Sequence, residues 1–442
     1  MTGEPTYRIE TLGCKANLYD SRRLAEALET LGYRAAGEGD RPDICVVNTC
    51  TVTHTADRKS RQQAARLARE HPDARVFVTG CYASAFPDEL EDVEGVAGVF
   101  GRDQWRQLLA AVHTGPLPTE AVPEGDFGIG SFGGRSRAFL KVQEGCNVGC
   151  SYCILPRVRG RPRSQPLRQA VEETRRLVDR GFAEIVLTGI HLGWYGTDLS
   201  GPTALAELVA AVAEVPGLQR LRLSSLQPAE VDEALLEAMD HPVVCPHLHL
   251  PLQSGDAEVL RGMRRPYTPD QFLRAVEMAR GRLERPAVTT DVMVGFPGET
   301  EEAFGHTVDI CRRARFSRMH VFAFSARPGT RAARMQDAVP PQVASERSER
   351  LRALGRDLAV EWAESFVGRR VRVLFERCRG DRLTGYTDRY VRLTCPGPAD
   401  LVDTTAQVEC TARNGTTLTG RFPPERDGDD EARPSEGASP AP

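Results

Sequence analysis

Three cysteines packed into eight residues, Cys146, Cys150 and Cys153 in the segment GCNVGCSYC, carry the most specific chemistry in the chain. A Cys-x3-Cys-x2-Cys run can bind three irons of a 4Fe-4S cube, one thiolate to each, and leaves the fourth iron open to a small molecule. Structural zinc, the plainer alternative, normally takes a fourth protein ligand and paired Cys-x2-Cys spacing. Three further cysteines, Cys14, Cys50 and Cys81, lie far apart in sequence but share a context. Each ends a short apolar run: TYRIETLG, DICVVNT and ARVFVTG. Ligands of an open α/β sheet bind outside the carboxyl ends of the strands, so these thiols are expected to converge on one crevice. Cys45 falls in mid-strand, where alternation turns its sulfur into the core. With Cys245, Cys311, Cys378, Cys395 and Cys410 it reads as small apolar filler.

Directly after the three-cysteine run comes PRVRGRPRSQPLR, with Arg157, Arg159, Arg161, Arg163 and Arg168 and no acid among them. Such a loop suits phosphate oxygens, which guanidinium groups bind in bidentate fashion, and points to RNA beside the reactive site. A second basic group, Arg369, Arg370, Arg372, Arg377 and Arg379, contains one acid, Glu376. A solvated charged surface explains this second group about as well. Tyr386 and Tyr390 are placed either to stack bases or to plug a small barrel. His247 and His249, two apart on one strand face, read as lining residues rather than metal ligands.

The elements that must position these groups follow from the patterning. The chain has 442 residues, enough for about three domains. Residues 1–112 alternate β-branched runs with helical stretches, the signature of an open parallel α/β domain. Residues 113–136 are rich in glycine and proline and read as a linker. Residues 137–365 hold six βα repeats, with strands at 138–144, AEIVLTG, LQRLRLSS, PHLHLPLQ, AVTTDVMVGF and RMHVFAFS. Six units suit a partial barrel rather than the closed eight-stranded one. Residues 366–421 break into short alternating segments expected to form a small antiparallel β-barrel, and 422–442 read as a disordered tail. The formal net charge of -4 argues against wholesale polyanion binding but leaves local patches open. No run of 18 apolar residues occurs and the first residues lack a signal-peptide pattern, so a cytoplasmic protein without a membrane partner is expected.

With Tyr152 before its last cysteine, the three-cysteine run resembles the radical S-adenosylmethionine superfamily. That resemblance implies that the open iron chelates the cofactor's methionine moiety and that an electron from the cluster releases a 5′-deoxyadenosyl radical. TLGCKANLYDS, VVNTC and VTGCY resemble the first domain of the methylthiotransferases, which implies an auxiliary 4Fe-4S cluster on Cys14, Cys50 and Cys81. EIVLTGIHLGWYG, HLHLPLQSG, MRRPYT, TTDVMVGFPGETEEAF and MHVFAFSARPGTRAARM are most similar to the branch acting on N6-threonylcarbamoyladenosine in tRNA. The last domain resembles the RNA-binding TRAM barrel.

By the same resemblance, Thr188, Gly189 and His191 lie at the cofactor's amino group, Ser225 and Gln253 at its ribose or carboxylate, and Asp291 and Gly295 at its adenine. Glu299 reads instead as a helix N-terminal acid. The implied reaction inserts a methylthio group at C2 of the modified adenosine at position 37, beside the anticodon, with two 4Fe-4S clusters and two molecules of S-adenosylmethionine per turnover. Its partners are a tRNA anticodon stem-loop, an electron donor such as flavodoxin or ferredoxin, and a sulfur source. The alternatives are isopentenyladenosine or a ribosomal protein aspartate as substrate, and a non-enzymatic iron-sulfur redox protein. A carrier of that last kind is expected to close all four iron positions with cysteine.

Overall fold

The computed structural model describes residues 4–37, 39–122, 125–130, 136–200 and 204–424. Most of the proposed tail, 425–442, lies outside them. Five parallel strands, β1 (Thr6–Thr11), β2 (Arg34–Ala35), β3 (Ile44–Thr49), β4 (Arg75–Gly80) and β5 (Val96–Val99), form the first sheet in the order β2-β1-β3-β4-β5. The strand order reverses between β1 and β3, which opens a crevice at their carboxyl ends. Cys14 follows β1 and Cys50 follows β3, so they flank that crevice, and Cys81 follows the next strand, β4. The fully buried β3 reads ICVVNT, an apolar run of the kind a sheet covered on both faces needs.

The second module is a partial barrel of six parallel strands: β6 (Arg137–Glu144), β8 (Glu184–Gly189), β9 (Arg220–Leu223), β10 (His247–His249), β11 (Ala287–Val294) and β12 (Arg318–Ala323). A two-residue strand, β7 (Arg163–Ser164), pairs antiparallel with β6. The sheet is regular on either side of the β9–β10 seam, which only the isolated bridges Leu221–Val244 and Ser225–His249 close. β10 is shorter than its apolar run because Pro246 and Pro251, which lack an N–H donor, bracket it. The architecture matches the expected α/β class with a partial six-stranded barrel.

The third module is a closed antiparallel-rich barrel of β13 (Arg370–Arg379), β14 (Arg382–Thr387), β15 (Arg392–Pro396), β16 (Thr405–Asn414) and β17 (Thr417–Arg421). It docks on the partial barrel through buried charge. Glu184 pairs with Arg220 at 2.9 Å, Arg222 at 3.0 Å and Arg137 at 3.3 Å. Those arginines then donate outward, Arg220 to the Thr387 carbonyl at 2.8 Å and Arg222 to the Asp388 carbonyl at 2.7 Å. Tyr390 lies under the Arg222 guanidinium, 3.8 Å from it, and edge-on to His247. Its ring is therefore packed on Arg222 and His247 and does not fill the small barrel.

The glycine-rich connection is stitched down on both sides. Gly128 N–H donates to Tyr19 Oη at 2.6 Å and Ile129 N–H to Glu173 Oε1 at 3.1 Å. Tyr19, on the first module's helix Lys15–Thr30, also bonds Glu173, on the second module's helix Leu167–Asp179.

Candidate iron-sulfur and cofactor centre

The loop carrying Cys146, Cys150 and Cys153 leaves the carboxyl end of β6 and is held by backbone. Cys146 N–H donates to the Gly160 carbonyl at 3.1 Å and Cys153 N–H to the Cys150 carbonyl at 3.1 Å. Gly145 begins the loop at φ +76°, and a Cβ there would stand 2.0 Å from the Arg161 carbonyl oxygen. Only glycine permits that approach. The three thiols are partly exposed, as ligands of a cluster open to a small molecule must be. Burial pushes Cys153 up to about 12, so without iron it stays a thiol.

Around this loop stand residues with free polar capacity. Arg265 Nη1 is 3.3 Å from the Cys150 sulfur, and its guanidinium lies over Tyr267 and close to Tyr152. His191 Nδ1 is 3.6 Å from the Cys146 sulfur, while its Nε2 meets Glu230 and the Gln227 amide. Its backbone N–H donates to Gln143 Oε1 at 2.7 Å, which ties the Thr188–His191 turn to β6. Thr188 is buried, and Gly189 packs on Gln143. Gln253 adopts φ +61°, with its N–H bonded to the Asp291 carbonyl at 2.9 Å and its Oε1 buried without a partner. Ser224 Oγ and Gln227 Oε1, at the carboxyl end of β9, are likewise buried and unpartnered among the described residues. These orphaned atoms fit a polar cofactor with amino, carboxylate and hydroxyl groups, since buried polar atoms normally find partners.

Asp291 faces two histidines, His249 Nε2 at 3.4 Å and His320 Nδ1 at 3.2 Å. Ser225 is exposed beside its bridge to His249. Gly295 has φ +73°, and a Cβ there would meet Ala344 at 2.7 Å. Its N–H donates to Glu299 Oε2, which Arg347 Nη1 also holds at 2.9 Å. Glu299 is thus a buried clamp on the β11 turn. Thr300 supplies the helix cap by accepting the Ala303 N–H.

Cys14 and Cys50, on the loops after β1 and β3, and Cys81, the first residue of the helix Cys81–Ala85 after β4, come onto the crevice of the first sheet. Gly13 has φ +104°, and a Cβ there would lie 2.8 Å from that of Cys50, so the β1 loop lies hard against the β3 loop. Asn17 Nδ2 bridges these loops by donating to the Leu12 carbonyl at 2.7 Å and the Thr49 carbonyl at 3.0 Å. Burial pushes Cys50 up to about 12, with Cys14 and Cys81 adding to the rise, and burial raises Cys81 as well. Three soft donors at one crevice fit an iron-sulfur cluster.

The first sheet's crevice and the barrel's mouth face each other. Cys81 and Ala85 pack against Ile154 and Val158, which directly follow Cys153. Arg327, beyond β12, donates to Thr51 Oγ1 at 2.6 Å beside Cys50, and His54 N–H donates to Ser325 Oγ at 3.1 Å.

Of the arginines expected to face RNA, Arg157 and Arg161 are exposed, Arg163 is half-buried in a pair with Asp126, and Arg369 and Arg370 are exposed. Arg159 is a correction. It is 2% exposed, with its guanidinium taken up by Asp20, Glu144, Asn17 and Cys81, so it cannot touch a phosphate. Arg157 and Arg159 also lie on a short helix, Leu155–Arg159, rather than on a loop. Arg265, Glu230, Gln143 and Arg327 were not singled out from sequence, although Arg265 lies inside MRRPYT and Arg327 inside MHVFAFSARPGTRAARM.

Residues 140–311 match the radical SAM superfamily model, and residues 6–101 match the model described as uncharacterized protein family UPF0004. The chain is 37% identical over 420 residues to threonylcarbamoyladenosine tRNA methylthiotransferase MtaB of Bacillus subtilis (strain 168), covering 91% of this chain and 93% of that one. The chain belongs to the radical SAM methylthiotransferase family. Methylthiotransferases similar to it include MtaB of Thermotoga maritima, 36% identical over 88% of this chain and 90% of its own. Another is the tRNA-2-methylthio-N(6)-dimethylallyladenosine synthase of Mycobacterium bovis (strain ATCC BAA-935 / AF2122/97), 37% identical over 86% and 78%. The radical SAM methyltransferase TsrM of Kitasatospora setae shares the fold at TM-score 0.55 and 18% identity, over 87% of this methylthiotransferase and 81% of its own chain. The family implies a 4Fe-4S cluster and S-adenosylmethionine. Among the described residues no helix is long and apolar enough to cross a membrane.

Proposed function

We propose that this methylthiotransferase modifies C2 of N6-threonylcarbamoyladenosine at position 37 of tRNA, with one 4Fe-4S cluster on Cys146, Cys150 and Cys153 and a second on Cys14, Cys50 and Cys81. The observation that carries this reading is the facing of the two cysteine sets, joined through the packing of Cys81 on Ile154. A transfer that needs both a radical and a sulfur source requires the two at one substrate atom. When bound, the first cluster and S-adenosylmethionine supply a radical able to take hydrogen from an unactivated C–H bond, and the second cluster supplies the sulfur.

The chain's own residues then place and enclose the reactants. Gln253, Gln227 and Ser224 offer their free oxygens to the cofactor. Lys15, next to Cys14, supports the choice of base. Its side chain is within electrostatic reach of Arg222, Glu184 and Arg137 on the barrel strands and forms no ion pair among the described residues. An unpaired ammonium there suits a base carrying a carboxylate, as the threonylcarbamoyl group does and a dimethylallyl group does not. Exposed Arg157 and Arg161 suit the anticodon-arm phosphates. A cytoplasmic site, with a flavodoxin or ferredoxin as electron donor and a separate sulfur source, completes the proposal.

The test is anaerobic turnover of the reconstituted enzyme on tRNA bearing threonylcarbamoyladenosine and on tRNA bearing isopentenyladenosine, followed by mass spectrometry of the nucleosides. A 2-methylthio product from the first alone is expected. A product from the second alone moves the protein to the sister activity.

A further inference from the structure

Arg159 was expected at an RNA surface, yet its guanidinium is among the most deeply buried charges in the molecule. Each edge of the fork meets a different partner. Nη1 donates to Asp20 Oδ2 at 2.8 Å and Glu144 Oε2 at 3.1 Å, and Nη2 donates to Asn17 Oδ1. The third edge, Nε–H, points at the sulfur of Cys81, 3.2 Å away. The two acids are also served by Lys141, which bonds both, while Arg102, 3.7 Å from Glu144, is hydrogen-bonded to Asp126 at 2.9 Å. Lys141 holds both acids without touching a thiol, whereas Arg159 holds the same two acids and also turns one edge on a cysteine. Arg159 is thus the cation through which this network reaches Cys81.

We infer that Arg159 is a positioning residue of the Cys14/Cys50/Cys81 centre, donating Nε–H to the Cys81 sulfur and lending its charge to the cluster bound there. This rests on the reading of those three cysteines as ligands of a second cluster. Hydrogen bonds to ligand sulfurs and nearby charge set the potentials of iron-sulfur clusters. A cation and a donor at the sulfur favour the more negative reduced state, so Arg159 holds the potential of this cluster up. Its partners also tie that centre to the other. Glu144 precedes Cys146 by two residues, and Asp20 and Asn17 lie on the helix that Cys14 begins. One buried network thereby sets both cysteine groups in register.

The experiment uses the full chain carrying C146A, C150A and C153A, reconstituted anaerobically so that only the second cluster can form. About four irons and four sulfides per chain are expected. If none bind, the reading of Cys14, Cys50 and Cys81 fails, independently of Arg159. In that background R159K and R159M are titrated electrochemically and followed by electron paramagnetic resonance. The midpoint should fall from Arg to Lys to Met, and the spectrum of the reduced cluster should change. If R159M loses its cluster, D20N/R159M, which removes one buried charge of each sign, is titrated in its place and should show the same downward shift. A purely structural arginine would lower thermal stability and leave the potential and spectrum of the retained cluster where they were, and that result overturns the inference.

Discussion

The Arg265 guanidinium stands 3.3 Å from the sulfur of Cys150. It lies beside the loop carrying Cys146, Cys150 and Cys153, and burial does not discharge it. Burial lowers its affinity for the proton, but Tyr267, Tyr152 and Cys150 together raise it further. Replacing it removes a charge-assisted hydrogen bond worth about 1.5–3 kcal/mol. R265M is therefore expected to slow reductive cleavage of S-adenosylmethionine by roughly 10- to 100-fold. Quantifying 5′-deoxyadenosine under dithionite checks this, and a rate equal to wild type would contradict it.

Gly145 gives a backbone prediction. With φ +76° and a Cβ position 2.0 Å from a carbonyl oxygen, G145A must displace the bend at Arg161 or the loop carrying Cys146. The cost is at least about 1–3 kcal/mol. Iron content should fall by about the share of the first cluster. Gly149, at φ +68° with its nearest contact at 3.9 Å, provides the control. G149A should keep more iron than G145A.

Glu184 governs how the last barrel stays docked. Burial alone would raise its carboxyl pKa, but Arg220, Arg222 and Arg137 together hold it well below the usual carboxylate range. A carboxyl depressed in the folded state contributes stability above its unfolded value, about 4.3, and loses it as pH falls toward the folded value. E184Q leaves three guanidiniums without their shared partner and should destabilise by about 3–5 kcal/mol at pH 7. Below pH about 4.3 the gap to wild type should narrow, which denaturant unfolding at a series of pH values will reveal.

Lys15 tests the substrate branch by binding alone. Wild type should prefer tRNA carrying threonylcarbamoyladenosine over the same tRNA with unmodified adenosine by about 10-fold or more, the worth of one hydrogen bond to a charged group. K15M should lose most of that preference. A preference unchanged in K15M would remove Lys15 from recognition of the base.

The cysteine spacing was readable because one set is local in sequence and the other is strand-terminal. The six strands and the small barrel were readable from period and turn residues. What escaped were pairings across the modules. A run such as PRVRGRPR looks like solvent-facing charge until its partners are known, and Asp20 lies 139 residues from Arg159. Tyr390 escaped for the same reason, since the arginine it packs on belongs to another module. β10 was overestimated because apolar period marks burial, whereas proline decides where a ladder must stop.

The stitched connection at Gly128 and Ile129 has a bearing on turnover. With Tyr19 and Glu173 bonded across the modules and the connecting backbone bonded to both, a swing of one module against the other has to break all three bonds. A catalytic cycle that keeps them is confined to small displacements. A spent cofactor has to leave and a fresh one enter by a fixed doorway, with the RNA standing at or off its threshold, so the order of reactions becomes a matter of traffic rather than of moving walls.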